Sequence, residues 1–191
     1  MGGATVALAP EPYIVTPRTF IVATPTEVIE RRLQVDDFFA DLDLGPAAGD
    51  EPSERVASVH FGPEWPGDTI DFERWAAVRR SGGAEGWAAT IVDRASLEAI
   101  GQMGCLAPPD AGGAVEIRYA TSVGLRDRGI ATEAGGAFVD WLLERPNVHA
   151  VVAECRVDNA PSVRVIEKLG FELVEEREDE DGRVLRWTKR A

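Results

Sequence analysis

The chain has 191 residues, of which 45% are hydrophobic and five are tryptophan, and its formal net charge is −13. That length and composition suit one folded domain with a sizeable core and exclude a disordered chain. The acidity disfavours nucleic acid and anionic membranes as partners and suits a basic or amine partner better. Cys105 and Cys155 are the only cysteines, beside two histidines and no Cys-x-x-Cys. No metal site is therefore expected, and the cysteines suit a reducing compartment. No apolar run approaches the ~20 residues of a membrane-spanning helix, and no basic residue precedes Arg18 as a secretory leader would need. The expectation is a soluble cytoplasmic protein, monomeric or homodimeric.

Residues 1–18 hold three prolines among Gly and Ala and read as a flexible tail ahead of a single domain over 19–191. TFIVA at Thr19–Ala23 is β-rich and predicts a short strand. Thr24-Pro25-Thr26 opens a helical stretch that Thr26 can cap. Residues 36–44, with Phe38, Phe39 and Leu42, read as a second short helix, and 45–54 as a loop by composition. In the turn GPEWPG at 62–67, Trp65 reads as core rather than pocket wall. Residues 68–80 carry Ile70, Trp75 and Val78 on a helical path. Residues 86–92, 98–105 and 115–121 read as strands separated by turns, an antiparallel meander.

The pattern then changes. Residues 131–143 place Ala134, Ala137, Phe138, Trp141 and Leu142 at i, i+3, i+4, i+7 and i+8, one face of a helix that Pro146 stops. Gly135-Gly136 inside it costs about 1 kcal/mol per residue against Ala, so close packing on a sheet is the expected reason. Residues 148–155 read as an apolar strand in which His149 is structural. Residues 160–169 form a helix with Pro161 in its first turn and Gly170 as its stop. Strands at 171–175 and 183–189 flank the hairpin turn Asp181-Gly182. A strand–helix–strand unit needs a crossover, so 115–121 and 148–155 should run parallel.

Between the first of those strands and its helix lies Arg126-Asp127-Arg128-Gly129-Ile130-Ala131. An Arg-x-x-Gly-x-Ala loop at a helix start suits an anion held on backbone N–H groups. Gly129 permits close approach of backbone to phosphate, and Arg126 and Arg128 add charge. Taken as six residues alone, a basic surface turn is the plainer alternative. Gly124 and Gly129 have Walker spacing, but Ile130 and Ala131 stand where Lys and Ser/Thr are needed, which disfavours a nucleotide hydrolase.

EIRY at 116–119 followed by RDRGIATEA at 126–134, DNAPSVRVIEKLGF at 158–171, and an acidic hairpin with a closing strand through Trp187 occur in that order. From Val115 on, the chain resembles the GNAT superfamily of acetyl-CoA-dependent N-acetyltransferases, in particular the ribosomal-protein-alanine N-acetyltransferase branch. The first half resembles it only in the order of strands and helices. The resemblance implies a mixed α/β fold: a central, mostly antiparallel sheet with a parallel splayed pair and flanking helices. It implies acetyl-CoA as cosubstrate, without a metal. The diphosphate would lie on Arg126, Asp127, Arg128, Gly129, Ile130, Ala131 and Thr132. The pantetheine would run along the strand edge through Thr121, Ser122 and Val123, with Asn159 as a further contact. Family members often carry Gly where Arg118 and Asp127 stand here. Tyr serves as an acid in the second motif helix of other branches, and this helix has none.

Acetyl transfer needs a neutral amine, donors for the oxyanion, and an acid for the leaving thiolate. Glu116 is the candidate base, acting through water, against a plain surface carboxylate. Ser162 is the candidate acid, sharing a helical face with Val165, Ile166 and Leu169, against a role satisfying the helix terminus. Tyr119 is the second candidate acid. The expected function is acetylation of a primary amine, of a protein N-terminus or of a small molecule, with a cationic acceptor suited to the chain's acidity. The alternative is an acyl-CoA-binding sensor without turnover. The resemblance also places the acidic hairpin at 175–181 near the acceptor cleft, where it would draw a cationic acceptor, against a plain solvated turn.

Overall fold

A computed structural model describes residues 11–45, 56–66, 70–81 and 86–191 of the chain. Its elements are β1 (Tyr13–Val15), β2 (Thr19–Ala23), α1 (Thr26–Arg32), β3 (Phe38–Asp43), β4 (Val56–Phe61), α2 (Ile70–Ser81) and β5 (Ala88–Asp93). There follow β6 (Ala99–Gly104), β7 (Ala114–Thr121), α3 (Ile130–Leu143), β8 (Ala150–Arg156), α4 (Ala160–Lys168), β9 (Glu172–Asp179) and β10 (Gly182–Arg190). Among the described residues one eight-stranded sheet runs β1-β2-β5-β6-β7-β8-β10-β9, and β3 and β4 form a separate hairpin. Every neighbouring pair in the large sheet is antiparallel except β7 and β8, which are parallel as the crossover requires.

Strand alternation sorts the core onto two faces. On one face Ile21, Ile91, Val115, Ile117, Val151, Ala153, Leu185 and Trp187 pack against Ile130, Phe138 and Leu142 of α3 and Ile166 of α4. On the other, Phe20, Val22, Ala88 and Val92 pack under Ile29 of α1, Phe72 and Trp75 of α2, and Phe38, Leu42, Val59 and Phe61 of the hairpin. This second core takes no residue from β7, β8, β9 or β10. Their side chains on that face include Glu116, Arg118, Glu154 and Arg186, so the C-terminal half of the sheet carries charge where the N-terminal half carries its second core.

Four expectations change. Residues 13–15 are a strand, and the chain through Arg18 is bonded rather than loose: Thr16 N donates to Thr19 O and Ala23 N to Pro12 O. The tail before residue 11 lies outside the described residues. Residues 38–43 form β3, not a helix, because the unpredicted strand β4 at 56–61 pairs with them from Phe38↔Phe61 to Asp43↔Val56, with Phe38 and Leu42 buried and Phe39 exposed. Most of the loop at 45–54 lies outside the described residues. Thr26 is the first residue of α1, and Pro25 holds the cap position. His149 precedes β8 and is exposed, with its ring against Gly113.

Trp65 is core, as expected. Its indole N–H donates to Gly101 O at 2.8 Å, and the buried Arg32 donates from Nε to Trp65 O at 2.6 Å. Gly135 and Gly136 face Leu169, the C-cap of α4, and only Gly135 is tight there. A Cβ at either position would stand 3.2 or 3.4 Å from the methyls of Leu169.

Candidate active site

The site begins where β7 and β8 part. Their pairing runs from Ala114↔Ala150 to Ile117↔Ala153 and stops, although β7 continues to Thr121 and β8 to Arg156. The other edge of β7 stays paired with β6 from Arg118↔Gly104 to Thr121↔Gly101. Residues 118–121 therefore present a strand edge that β8 does not use. Such an edge accepts an extended, amide-bearing ligand as an added strand.

Beyond the opened edge, Val123–Leu125 make one 3₁₀ turn and the chain enters α3 through two left-handed residues. Asp127 has φ 60° and Gly129, the N-cap of α3, has φ 74°. Glycine adopts this region without steric cost, whereas a side chain such as that of Asp127 is strained there. No side chain caps α3, so its first-turn N–H groups remain available to an anion, favoured also by the helix dipole.

A cavity of about 420 Å³ joins these parts. Of the predicted cofactor residues it is lined by Thr121, Arg126, Asp127, Gly129, Ile130, Ala131, Thr132 and Asn159, and of the catalytic candidates by Tyr119 and Ser162. Three predicted contacts do not line it. Ser122 is buried and its N–H is spent on Ile100 O at 2.9 Å. Val123 is exposed, and Arg128 turns its carbonyl to Arg18 at 2.8 Å.

α4 closes the far wall. Asn159 caps it by accepting from Ser162 N at 3.3 Å, so Asn159 is both a cap and a lining residue. Arg164 and Lys168 also line the cavity and were not predicted. Their i, i+4 spacing on the helix that carries Ser162 was the available signal. Arg164 Nη2 stands 4.0 Å from Asp127 Oδ1.

Tyr119 and Ser162 meet across the splay, hydroxyl to hydroxyl at 3.0 Å. Burial raises the Tyr119 pKa above its ordinary value, partly offset by the Ser162 hydrogen bond. The phenol is therefore protonated at neutral pH. Cys155 is buried and its thiol is raised by burial, which disfavours a thiolate there.

Glu116 lies apart from this cavity. It faces the opposite side of the sheet and lines a second cavity of about 320 Å³ with Arg118, Val152, Arg186 and the loop at 106–110. Arg118 Nη2 stands 3.3 Å from Glu116 Oε1. Asp110 holds that loop by accepting from Gly112 N and Ala114 N, and those bonds lower its pKa. The two cavities share β7, one on each face. Among the described residues no group of three or more acidic, His or Cys side chains could hold a metal, and no helix is long and apolar enough to cross a membrane.

A splayed parallel pair with an uncapped helix start beside it makes a site for an extended anionic ligand, and comparison with known proteins gives the class. The family model described as an acetyltransferase (GNAT) domain matches residues 32–172. The chain belongs to the GNAT family of acetyltransferases. YjdG of Bacillus subtilis (strain 168), an uncharacterized N-acetyltransferase, is 32% identical over 141 residues, 70% of this chain and 83% of that one. Among solved structures, RimL, a ribosomal L7/L12 alpha-N-protein acetyltransferase in complex with coenzyme A, has TM-score 0.61 at 14% identity, covering 92% of this chain and 96% of that one. A chimera of the Vibrio cholerae spermidine N-acetyltransferase SpeG and hSSAT has TM-score 0.62 at 13% identity, covering 90% and 95%. At those identities the structural likeness concerns the fold.

Proposed function

We propose that the protein transfers the acetyl group of acetyl-CoA to a primary amine by direct attack. The observation that carries this reading is the single cavity formed by the 126–132 loop, the free edge of β7 and the Tyr119–Ser162 pair. The diphosphate would rest on the first-turn N–H groups of α3, with Arg126, Arg164 and Lys168 around it. The pantetheine would follow residues 118–121, which brings the thioester towards Tyr119.

The amine would enter from the opposite face, through the cavity of Glu116 and Arg118. Its nitrogen adds to the thioester carbonyl, the C–S bond breaks, and the amine proton passes through water towards Glu116. The thiolate takes a proton or a strong hydrogen bond from the Tyr119–Ser162 pair. A buried Cys155 with a raised pKa supports direct attack over an acyl-cysteine. The acceptor class follows from charge: the hairpin and the net charge of −13 favour a cationic amine, whether a protein N-terminus or a small polyamine.

The test is a thermal shift with acetyl-CoA, followed by thiol release with a panel of amines. Acetyl-CoA should raise the melting temperature, and Gly129→Glu should abolish the shift by setting bulk and negative charge at a left-handed position facing the phosphate. No shift in the wild type at millimolar acetyl-CoA would end this reading. A shift without thiol release from any amine would favour the acyl-CoA sensor instead.

A further inference from the structure

We infer that Arg18, in the turn between β1 and β2, is a positioning residue for the diphosphate of the cosubstrate; this rests on the acetyl-CoA reading above. Arg18 approaches the anion cradle from the opposite end of the chain. Its Nε donates to Glu133 Oε2 at 2.6 Å, its backbone N–H to Glu133 Oε1 at 3.0 Å, and its Nη1 to Arg128 O at 2.8 Å. Thr16 Oγ1 donates to Glu133 Oε1 at 2.7 Å. The remaining nitrogen, Nη2, has no hydrogen-bond partner among the described residues. It stands 3.6 Å from where a Cβ on Gly129 would be.

Glu133 explains why a cation is needed there. It sits in the first turn of α3, where the helix dipole favours a carboxylate. The same helix start must accept the two negative charges of a diphosphate, and a bare carboxylate within a turn of them repels both. Protonation does not relieve this at neutral pH. Burial pushes the Glu133 pKa up, but the hydrogen bonds from Thr16 and Arg18 outweigh it, and the pKa lies below the ordinary value. Arg18 cancels that charge, holds the Arg128 carbonyl through Nη1, and leaves Nη2 beside Gly129. One side chain thus makes the helix start electrostatically ready for phosphate and fixes the loop that presents it.

The experiment compares acetyl-CoA with S-acetylpantetheine, which carries the thioester and lacks the diphosphate. Arg18→Ala should raise KM for acetyl-CoA by roughly tenfold, the loss of a charge-assisted contact. Its kcat should stay within about twofold, and its KM for S-acetylpantetheine should not move. Adding Glu133→Gln to Arg18→Ala should recover part of the lost acetyl-CoA affinity, because the uncancelled carboxylate is gone. Equal losses with both donors, or no recovery in the double variant, would reduce Arg18 to a fold contact and overturn the inference. Should Arg18→Ala fail to fold, Glu133→Gln alone decides. It should lower KM for acetyl-CoA and leave S-acetylpantetheine unchanged, and a raised KM for both donors would overturn the inference. A wild type that uses neither donor would instead overturn the cosubstrate reading on which the inference stands.

Discussion

The Tyr119 hydroxyl lies 3.0 Å from Ser162 Oγ, joining β7 to the first turn of α4 across 43 residues of sequence. The contact spans the gap where β7 and β8 separate, so it marks the point at which a thioester threaded along β7 would end. Burial holds the phenol protonated, and Ser162 either donates to it or accepts from it. Two candidates that stood as alternatives in the sequence are one hydrogen-bonded unit in the structure.

A unit of this kind predicts non-additive kinetics. Tyr119→Phe and Ser162→Ala should each lower kcat by roughly tenfold with little change in KM for acetyl-CoA, as expected for contacts made mainly in the transition state. The double variant should be no worse than the poorer single one. Multiplicative losses would mean two independent roles. An unchanged kcat in both, with the chemical step shown to limit turnover, would return Tyr119 to the core.

Asp127 predicts an improvement. It holds φ 60° and places a carboxylate that is 88% exposed in the lining of the cavity proposed for the diphosphate. Asp127→Gly removes a strained backbone position, worth about 1 kcal/mol, together with a like charge facing the diphosphate. KM for acetyl-CoA should fall severalfold, and the melting temperature should hold or rise. A higher KM would show that the Asp127–Arg164 contact orders the loop and matters more than repulsion.

What the sequence could and could not reveal follows from where the information lies. The α3 and α4 faces were legible because 3.6-residue periodicity is local. The parallel β7–β8 pair was legible because connection handedness and length constrain it. β3 was misread because Phe38, Phe39 and Leu42 suit either period, and its partner 56–61 carries too few strong β-formers before Phe61 to decide. Glu116 was correctly placed away from Ile117 and Tyr119. That it faces a separate cavity on the other side of the sheet depends on which strands the helices cover, which no window of residues contains. Arg18 was hidden for the same reason: its partners Arg128 and Glu133 are more than a hundred residues away.

Glu154 predicts how the charged face responds to acid. It accepts from Arg186 at 2.5 Å and from Arg177 at 2.7 Å. Burial pushes its pKa up, but those two hydrogen bonds and charges outweigh it, and the pKa lies below its ordinary value of 4.5. A group depressed in the folded state binds more protons when unfolded, so its contribution is complete above about pH 4.5 and fades as pH falls through the folded value. Glu154→Gln should lower the melting temperature at pH 7 and make its decline below pH 4.5 shallower than in the wild type. Parallel curves would remove Glu154 from the groups that govern acid unfolding.

The acidic hairpin is more internally balanced than its sequence suggests. Asp179 accepts from Arg156 Nη1 at 2.5 Å, Asp181 pairs with the same arginine at 3.3 Å, and Glu176 pairs with Arg183. Glu175, Glu178 and Glu180 have no ion pair among the described residues, and they are the charges left to act at a distance. Glu175 stands opposite Arg186 in the strand pairing, and Arg186 lines the second cavity, so the field at this end of the hairpin bears on the route proposed for the amine. Replacing these three by Gln spares the Arg156 contacts and isolates the long-range effect. KM for a cationic acceptor should rise a few-fold at low salt, and the dependence of kcat/KM on ionic strength should flatten, since screening beyond about 10 Å at 0.1 M salt already removes what the substitutions remove. KM for acetyl-CoA should change little, because the site proposed for it is built on β7 and α3, and β8 separates β7 from the β10–β9 hairpin. A neutral amine of the same size serves as the control, and its kinetics should match the wild type. If the cationic acceptor keeps its wild-type salt slope, the hairpin is a solvated turn, and acceptor charge must be read at Glu116 and Arg118 instead.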